Sequence, residues 1–449
     1  MELRIPEQVR QALSKLRACG YEAYIVGGCV RDLLLGREPD DYDITTSALP
    51  FETMRCFAGY HVIETGVKHG TVTAVIDGMP LEITTYRIDG QYSDNRRPDS
   101  VTFTRSLRED LARRDFTINA MAYSPSNGLQ DYFGGQQDLK DQMIRCVGDP
   151  QTRFEEDALR ILRAVRFSSV LGFGMEPATA AALLTRRGLL VHIARERVQV
   201  ELNKLLLGRD VGRVLREYTE VLCEVIPEII PCIGFEQHSR YHLYDVWEHT
   251  VHTVERSPER LTVRLAMLLH DLAKPLTFSI EGGTGHFYSH QQKSADLAQE
   301  ILKRLRYSGE ITRRVVNLIR YHSVEFHGSA KAIKRWLGKL GEEELRELLL
   351  VQRSDLLGKD PSFWYELEEL DENEQRINEI IAQNQCFTVA QLAVNGNDLR
   401  EVGCTQGRLI GQLLEYLLGL VIDEECPNNR EALLARANQY LVNRKQTDE

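Results

Sequence analysis

The apolar residues of this 449-residue chain change their spacing near residue 150, and that change sets what the chain can fold into. Before it, short apolar runs ("YEAYIVGG", "YDIT", "TVTAVI", "PLEITTY") stand between Gly, Pro, Asn and Asp turns, which is the spacing of strands. Helices are predicted among them at "CVRDLLLG" and "DFTINAMAY". After residue 153 strand signals almost vanish. "FEEDALRILRAVRFSSVLG" and "RERVQVELNKLLLG" place apolar residues at i, i+3 and i+4, the spacing of helices. The expected class is therefore α+β: a mixed head to about 145, then an all-helical remainder. Prolines in "IPEIIPCIGF" (226–235) and the break "LLGKDPSFW" (356–364) divide that remainder into segments 146–225, 226–360 and 361–449.

With 43% hydrophobic and 27% charged residues, and no apolar run near the ~18 residues of a membrane span, a soluble cytoplasmic protein without membrane partners is expected. Nine scattered cysteines without a C-x-x-C pair read as reduced core residues. The net charge of −11 argues against bulk electrostatic coating of nucleic acid. The run 303–339 is locally different: ten Lys or Arg against Glu310 and Glu325, a face on which a polyanion could dock.

Chemistry is concentrated first in "YIVGGCVRDLLLGREPDDYDIT" (24–45). Strand, Gly27-Gly28 turn and helix aim free N–H groups at whatever lies over the glycines, an anion site in outline. Asp41 and Asp43 are two apart on an expected strand, so both carboxylates face one side and Tyr42 the other. Carboxylates held that close need a cation, and hard oxygen donors suit Mg²⁺. Glu82 in "PLEITTYR", expected on the same face as Thr84 and Tyr86, would complete a catalytic two-metal set for nucleotidyl transfer. In "EEDALRILRAVRF" (155–167), Asp157 and Arg160 are expected as helical neighbours, with Arg163 and Arg166 continuing the same side. A carboxylate beside a guanidinium complements the amino donor and ring-nitrogen acceptor that cytosine and adenine share, and opposes the edges of uracil and guanine.

Together, "GGCVRDLLLG…DYD", "RRDFTINAMA" (113–122) and "EEDALRILRAVRF" resemble the class II tRNA nucleotidyltransferases, that is the CCA-adding enzymes, and their poly(A) polymerase relatives. The resemblance implies a polymerase-β-like head followed by helical neck, body and tail, with CTP, ATP and the tRNA 3′ acceptor end as partners. It implies that Asp41 and Asp43 bind Mg²⁺ and that Gly28 and Arg31 contact the nucleotide. Arg114, Asp115 and Asn119 would hold phosphates and ribose. Asp157 and Arg160 would read the base, and Arg163 and Arg166 would lie nearer the triphosphate. The polar stretch "DGQYSDNRRPDSVTF" (89–103) reads as a mobile loop, as in relatives that add the final A.

Nine of the twelve histidines fall between His238 and His327. His249, His270-Asp271 and Asp355 resemble the H…HD…D set of HD-domain phosphohydrolases, which implies a transition-metal ion in the body and a hydrolytic activity there. His290 and His322 are candidates for the same pocket. Three readings follow: a Mg²⁺-dependent nucleotidyltransferase that adds CCA to tRNA, or A alone, or poly(A); a metal-dependent phosphohydrolase; and an RNA-binding protein. The presence of both aspartates favours the first.

Overall fold

The computed structural model describes residues 2–90 and 100–447, with side chains to residue 444. It forms two compact units, Met1–Ile230 with Arg304–Arg306, and Pro231–Lys303 with Tyr307–Glu449.

The first unit begins with the amphipathic helix α1 (Glu7–Ala18). Its head then holds the strands β1 (Ala23–Val26), β2 (Asp43–Thr46), β3 (His61–Ile63), β4 (Thr71–Ile76), β5 (Met79–Thr85), β6 (Arg87–Asp89), β7 (Val101–Phe103), β8 (Met121–Ser124) and β9 (Gly128–Asp131), and a two-residue strand, Met143–Ile144, that pairs with Gly174–Met175. Seven of them make one sheet in the order β3-β4-β5-β2-β1-β8-β9. Its central strands β1 and β8 are buried on both faces, because Ala23-Tyr-Ile-Val and Met121-Ala-Tyr-Ser are covered on each side. All pairings in it are antiparallel except β2 with β5. The interspersed helices are α2 (Gly28–Leu34), α3 (Pro50–Cys56), α4 (Leu107–Ala112) and α5 (Gly135–Lys140). Helices α6 (Pro150–Glu156), α7 (Leu159–Leu171), α8 (Pro177–Arg186), α9 (Arg195–Leu206), α10 (Val211–Glu217) and α11 (Thr219–Val225) complete the unit.

Several sequence expectations are corrected here. "DFTINAMAY" is not an α-helix: Thr117–Asn119 makes a single 3-10 turn, and from Met121 the chain is strand β8, because pairing to β1 satisfies its backbone while burying every side chain. "DYDIT" becomes strand only at Asp43, so Asp41 and Tyr42 precede it. Strand β5 ends at Thr85; Tyr86 turns into the core with Tyr24, Leu107 and Leu111 rather than sharing a face with Glu82. "EEDALRILRAVRF" is two helices, α6 and α7, broken at Asp157, whose backbone is extended. The ends of the 89–103 stretch are paired strands (Asp89 with Val101), while 91–99 lie outside the described residues.

In the second unit, α12 (Val246–Arg256), α13 (Leu261–Leu269), the short α14 (Lys274–Thr277), α15 (His290–Arg304), α16 (Gly309–Tyr321), α17 (Ala330–Leu340), α18 (Glu342–Leu357) and α19 (Leu367–Ala382) precede three further helices. Those last helices, over Gly396–Glu401, Gly407–Ile422 and Arg430–Thr447, close on their own apolar cluster around Leu413, Leu417 and Leu433. A hairpin, Phe278–Glu281 with Thr284–Phe287, interrupts the helical region and was not legible in the periodicity. Most of the basic run 303–339 is engaged. Arg313 and Arg314 pair with Glu344, Glu343 and Glu347, Arg335 pairs with Asp423, and Lys339 lies 4.1 Å from the Tyr321 ring centre, so the polyanion face expected there is largely neutralised. All nine cysteines are free thiols and seven are buried. Among the described residues no helix is long and apolar enough to cross a membrane.

Candidate functional sites

In the head, parallel pairing of β2 and β5 sets Asp43 directly beside Glu82 in register. Asp43 reaches solvent. Even so, the protein around it pushes its carboxyl up; Arg114 opposes that, and Asp41 and Glu82 reinforce it by repulsion. Asp41 and Glu82 thus lie near enough to act on the Asp43 charge, and carboxylates are the hard-oxygen type that suits Mg²⁺, but the three do not close into a ligand group as the histidines of the second unit do.

Gly27 adopts φ +83°, and a Cβ there would meet Arg114 Nη1 at 3.0 Å, so the first glycine serves both the left-handed turn and the approach of this guanidinium. Arg114 Nε is buried without a hydrogen-bond partner. The guanidinium beside the glycine turn therefore keeps a donor without an acceptor. Asp110, fully buried on α4, holds this corner. It accepts from Thr45 Oγ1 (3.0 Å), the Arg87 amide (3.3 Å) and Arg113 Nη2 (2.8 Å), and lies 3.7 Å from Arg114. Asp110→Ala would leave two arginines short of their counter-charge. The expected cost is about 3–5 kcal/mol, read as a fall in Tm of roughly 10 °C.

A second chain of polar contacts leads away from the glycines. Arg31 Nη1 donates to Asn119 Oδ1 (2.7 Å), Asn119 Nδ2 to Asp115 Oδ1 (3.1 Å), and Arg163 Nη2 and Nε to Asp115 Oδ2 (2.6 and 2.9 Å). Burial works against the Asp115 charge, yet Arg163 and Asn119 hold its carboxyl well below the ordinary 3.8. Asp110 is likewise held below it, by Arg113 and Arg114 against burial. Because both folded values are depressed, the stability these carboxylates contribute is present above about pH 4 and is lost as pH falls through their folded values. The structure therefore brings together Gly28, Arg31, Arg114, Asp115, Asn119 and Arg163.

It does not pair Asp157 with Arg160. With the helix broken at 157, Asp157 Oδ2 accepts from Arg197 Nη2 (3.0 Å), and Arg160, buried, donates to Glu156 (2.6 Å) and to the carbonyls of Arg153 and Arg113 (3.1 Å each). Arg166 donates to Glu201 (2.8 Å), whose other oxygen lies 3.8 Å from Arg163 Nη1, so these two arginines do keep to one side. Three residues were missed in the sequence. Arg197 and Glu201 stand four apart on α9, so they share a face, and that spacing was the available signal. Phe167 gave no signal; its ring gathers the guanidiniums of Arg166, Arg31 and Arg163 at 3.7, 5.0 and 5.5 Å.

The second unit assembles the histidines. His249 on α12, His270-Asp271 after α13 and Asp355 on α18 meet as expected: His249 Nε2 lies 3.0 Å from Asp355 Oδ1, and His270 Nε2 lies 3.1 Å from Asp271 Oδ2 and 3.5 Å from Asp355 Oδ1. Two triads have ligand atoms within 4.8 Å of one another, His249/His270/Asp355 and Asp271/His290/His322. Asp271 faces both, with Oδ2 toward His270 and Oδ1 3.4 Å from His290. The Nδ1 atoms of His249, His270, His290 and His322 stand 3.1, 2.7, 2.8 and 2.6 Å from the carbonyls of Gly358, Met267, Phe287 and Ile319. A carbonyl can only accept, so each Nδ1 carries the proton and each Nε2 is left for the cluster, the outer-shell arrangement of metal-binding imidazoles. Burial pushes His249 and His290 down and His322 to about 3, so these three are neutral. His270 is pushed down by burial but held up, at about 9, by Asp271 and Asp355. Lys274 and Lys359 compensate the carboxylates at 2.7 and 2.8 Å. Three neutral imidazoles, with His270 held charged by Asp271 and Asp355, and two buried carboxylates make a donor set of the type that suits a transition metal.

Known proteins resemble this chain in sequence and fold. Residues 23–145 match the family described as "Poly A polymerase head domain", 172–230 the "Probable RNA and SrmB- binding site of polymerase A", and 287–437 the second tRNA nucleotidyltransferase domain. The chain is 36% identical to the CCA-adding enzyme of Levilactobacillus brevis over 96% of both chains. It is 52% identical to that of Lacticaseibacillus paracasei over 46% of this chain and 52% of the relative. Among solved structures, the Bacillus stearothermophilus CCA-adding enzyme in complex with CTP superposes with a TM-score of 0.73 at 30% identity over 98% of each chain. The Thermotoga maritima CCA-adding enzyme complexed with tRNA superposes at 0.59 with 22% identity over 98% of this chain, a likeness of fold.

Proposed function

This chain belongs to the CCA-adding enzymes, a family of tRNA nucleotidyltransferases, and we propose that it adds cytidine and adenosine from CTP and ATP to the 3′ acceptor end of tRNA in the cytoplasm, with Mg²⁺ held by Asp41, Asp43 and Glu82. The register of Asp43 beside Glu82 carries this reading. Bound there, Mg²⁺ supplies charge that acidifies the 3′ hydroxyl and stabilises the leaving pyrophosphate. The new bond joins that oxygen to the α-phosphorus, the bond to pyrophosphate breaks, and the hydroxyl proton leaves. Arg114, with its unused Nε, and Arg31 take the phosphates, while Asp115 and Asn119 fix Arg31 and Arg163 around them. In this reading the head extends to 145, a neck to 225, a body to 360, and the tail carries the tRNA arm.

Base choice rests with Asp157 and Arg160, each held by its own partner: Arg197 orients the acceptor and Glu156 the donor. Asp157→Ala is expected to weaken CTP and ATP use together, by about 10- to 100-fold for one lost recognition pair, and to reduce their advantage over UTP. Single-turnover competition with tRNAs ending before CCA, after C and after CC, with the products sequenced, tests this. Wild-type selectivity in the variant would move base choice elsewhere. The same assay separates full CCA addition from A addition alone.

A second reading has its own support in the six-residue histidine and aspartate cluster. His249, His270, Asp271 and Asp355 hold a transition-metal ion in an HD-type body, with His290 and His322 on the other side of Asp271. The activity is hydrolysis of 2′,3′-cyclic phosphate or phosphomonoester ends. For a cyclic phosphate, a water oxygen joins phosphorus, one P–O(ribose) bond breaks, and the proton passes to the released hydroxyl.

A further inference from the structure

Helix α7 carries Arg163 and Phe167 four residues apart, so their side chains leave on one face, with Arg166 beside them. Arg31 reaches the same place from α2. The Phe167 ring is buried and lies edge-to-face with the buried Phe116, the ring centres 5.8 Å apart. The guanidinium carbons of Arg166, Arg31 and Arg163 stand 3.7, 5.0 and 5.5 Å from its centre, within the ~6 Å over which an aromatic face attracts a cation. Each guanidinium also has a carboxylate: Asp32 for Arg31 (2.8 Å), Asp115 for Arg163 (2.6 Å) and Glu201 for Arg166 (2.8 Å).

The two kinds of contact differ in what they leave over. A carboxylate takes up N–H groups, whereas an aromatic face attracts a guanidinium without occupying one. Arg31 commits three of its five N–H groups to Asp32 and Asn119, so two remain. Three like charges drawn to one place repel, and they do so more strongly where little water reaches them, as at Arg31 and Arg166, each 11% exposed. The ring is the group common to all three cations that offsets this repulsion and still leaves N–H donors for an anion.

We infer that Phe167 is a positioning residue for nucleotide binding: its ring holds Arg31, Arg163 and Arg166 together before the nucleotide arrives, so that the triphosphate meets donors already ordered. The inference rests on the nucleotidyl-transfer reading for the identity of that anion. Phe167 acts through the arginines and not on the reacting atoms. Without the ring, the cost of gathering the cations falls on the binding step, and affinity drops. Base choice is unaffected, because Asp157 and Arg160 are held separately by Arg197 and Glu156.

Singly, triply and fully ring-fluorinated phenylalanine, placed at position 167 of the full-length protein, withdraw charge from the ring face stepwise while nearly keeping its shape. Equilibrium binding of CTP, ATP and UTP with Mg²⁺ is measured beside kcat and KM for incorporation into tRNA lacking CCA, and a thermal melt accompanies each protein. Kd and KM for CTP and ATP are expected to rise together along the series, by about tenfold at its end. The kcat, the KM for tRNA and the CTP-to-UTP affinity ratio are expected to stay near the parent. Phe167→Leu, apolar but without a ring, is expected to match the end of the series. A Tm that falls along the series while nucleotide affinity stays parental makes the ring structural and overturns the inference. So does tighter nucleotide binding, because the ring would then hold the arginines away from the phosphates. A loss confined to Phe167→Leu also overturns it, since side-chain volume and not ring charge would be responsible. Graded loss of CTP and ATP affinity in a protein that adds nothing to tRNA keeps the positioning role and rejects the transfer reading; parental affinity throughout in a protein that adds C and A does the reverse.

Discussion

Asp43→Asn and, separately, Asp41→Asn are expected to silence addition of both C and A by on the order of 10³-fold or more, while tRNA binding and Tm stay near the parent. The kinetic effect follows from removing a charged donor from the carboxylates proposed to hold Mg²⁺, which withdraws several kcal/mol of transition-state stabilisation. The absence of a stability loss follows from the electrostatics of the unliganded site. The Asp43 charge is already disfavoured by the protein around it and by Asp41 and Glu82, with Arg114 alone opposing. Replacing the carboxylate with a neutral amide relieves that repulsion. Single-turnover incorporation with CTP and ATP, beside a thermal melt and a tRNA binding curve, distinguishes the outcomes. Near-parental incorporation by either variant would reject the metal assignment, and a large drop in Tm would make the aspartate structural.

His270→Ala combined with Asp271→Ala is expected to erase hydrolysis of 2′,3′-cyclic phosphates and the binding of transition metal, while C and A incorporation persists. The two residues lie at the centre of the cluster: His270 Nε2 faces both Asp271 and Asp355, and Asp271 faces both triads. Their removal therefore dismantles both halves of the site. The head carboxylates belong to the other compact unit, so the chemistry of addition has no donor in common with it. Metal content by elemental analysis and hydrolysis with Mg²⁺, Mn²⁺, Ni²⁺ and Co²⁺ are read on parent and variant, with Tm as control. Removing Asp271 also strips Lys274 of its 2.7 Å partner, so some loss of Tm is expected. A parent that binds no transition metal and hydrolyses none of these substrates would leave the body a scaffold.

What was legible in the sequence were features that depend on chain spacing alone. The strand-to-helix change, the Gly27-Gly28 turn and the His270-Asp271 dipeptide each rest on neighbours within a few residues, so periodicity and hydrogen-bond inventory sufficed. The motif order was likewise local enough to carry the family resemblance. Tertiary structure decided whatever depends on partners distant in sequence. It made the end of "DFTINAMAY", from Met121, a strand, because β1 offered its backbone a ladder that outweighs local helical spacing. It broke the helix at Asp157 and handed that carboxylate to Arg197, forty residues away, so i, i+3 proximity never formed. It drew Arg31, Arg163 and Arg166 around Phe167, and set His290 and His322 opposite His249 across Asp271, by packing helices whose sequence separation hides their contact. Spacing fixes which side chains leave one element together; only the packing of elements fixes what they meet.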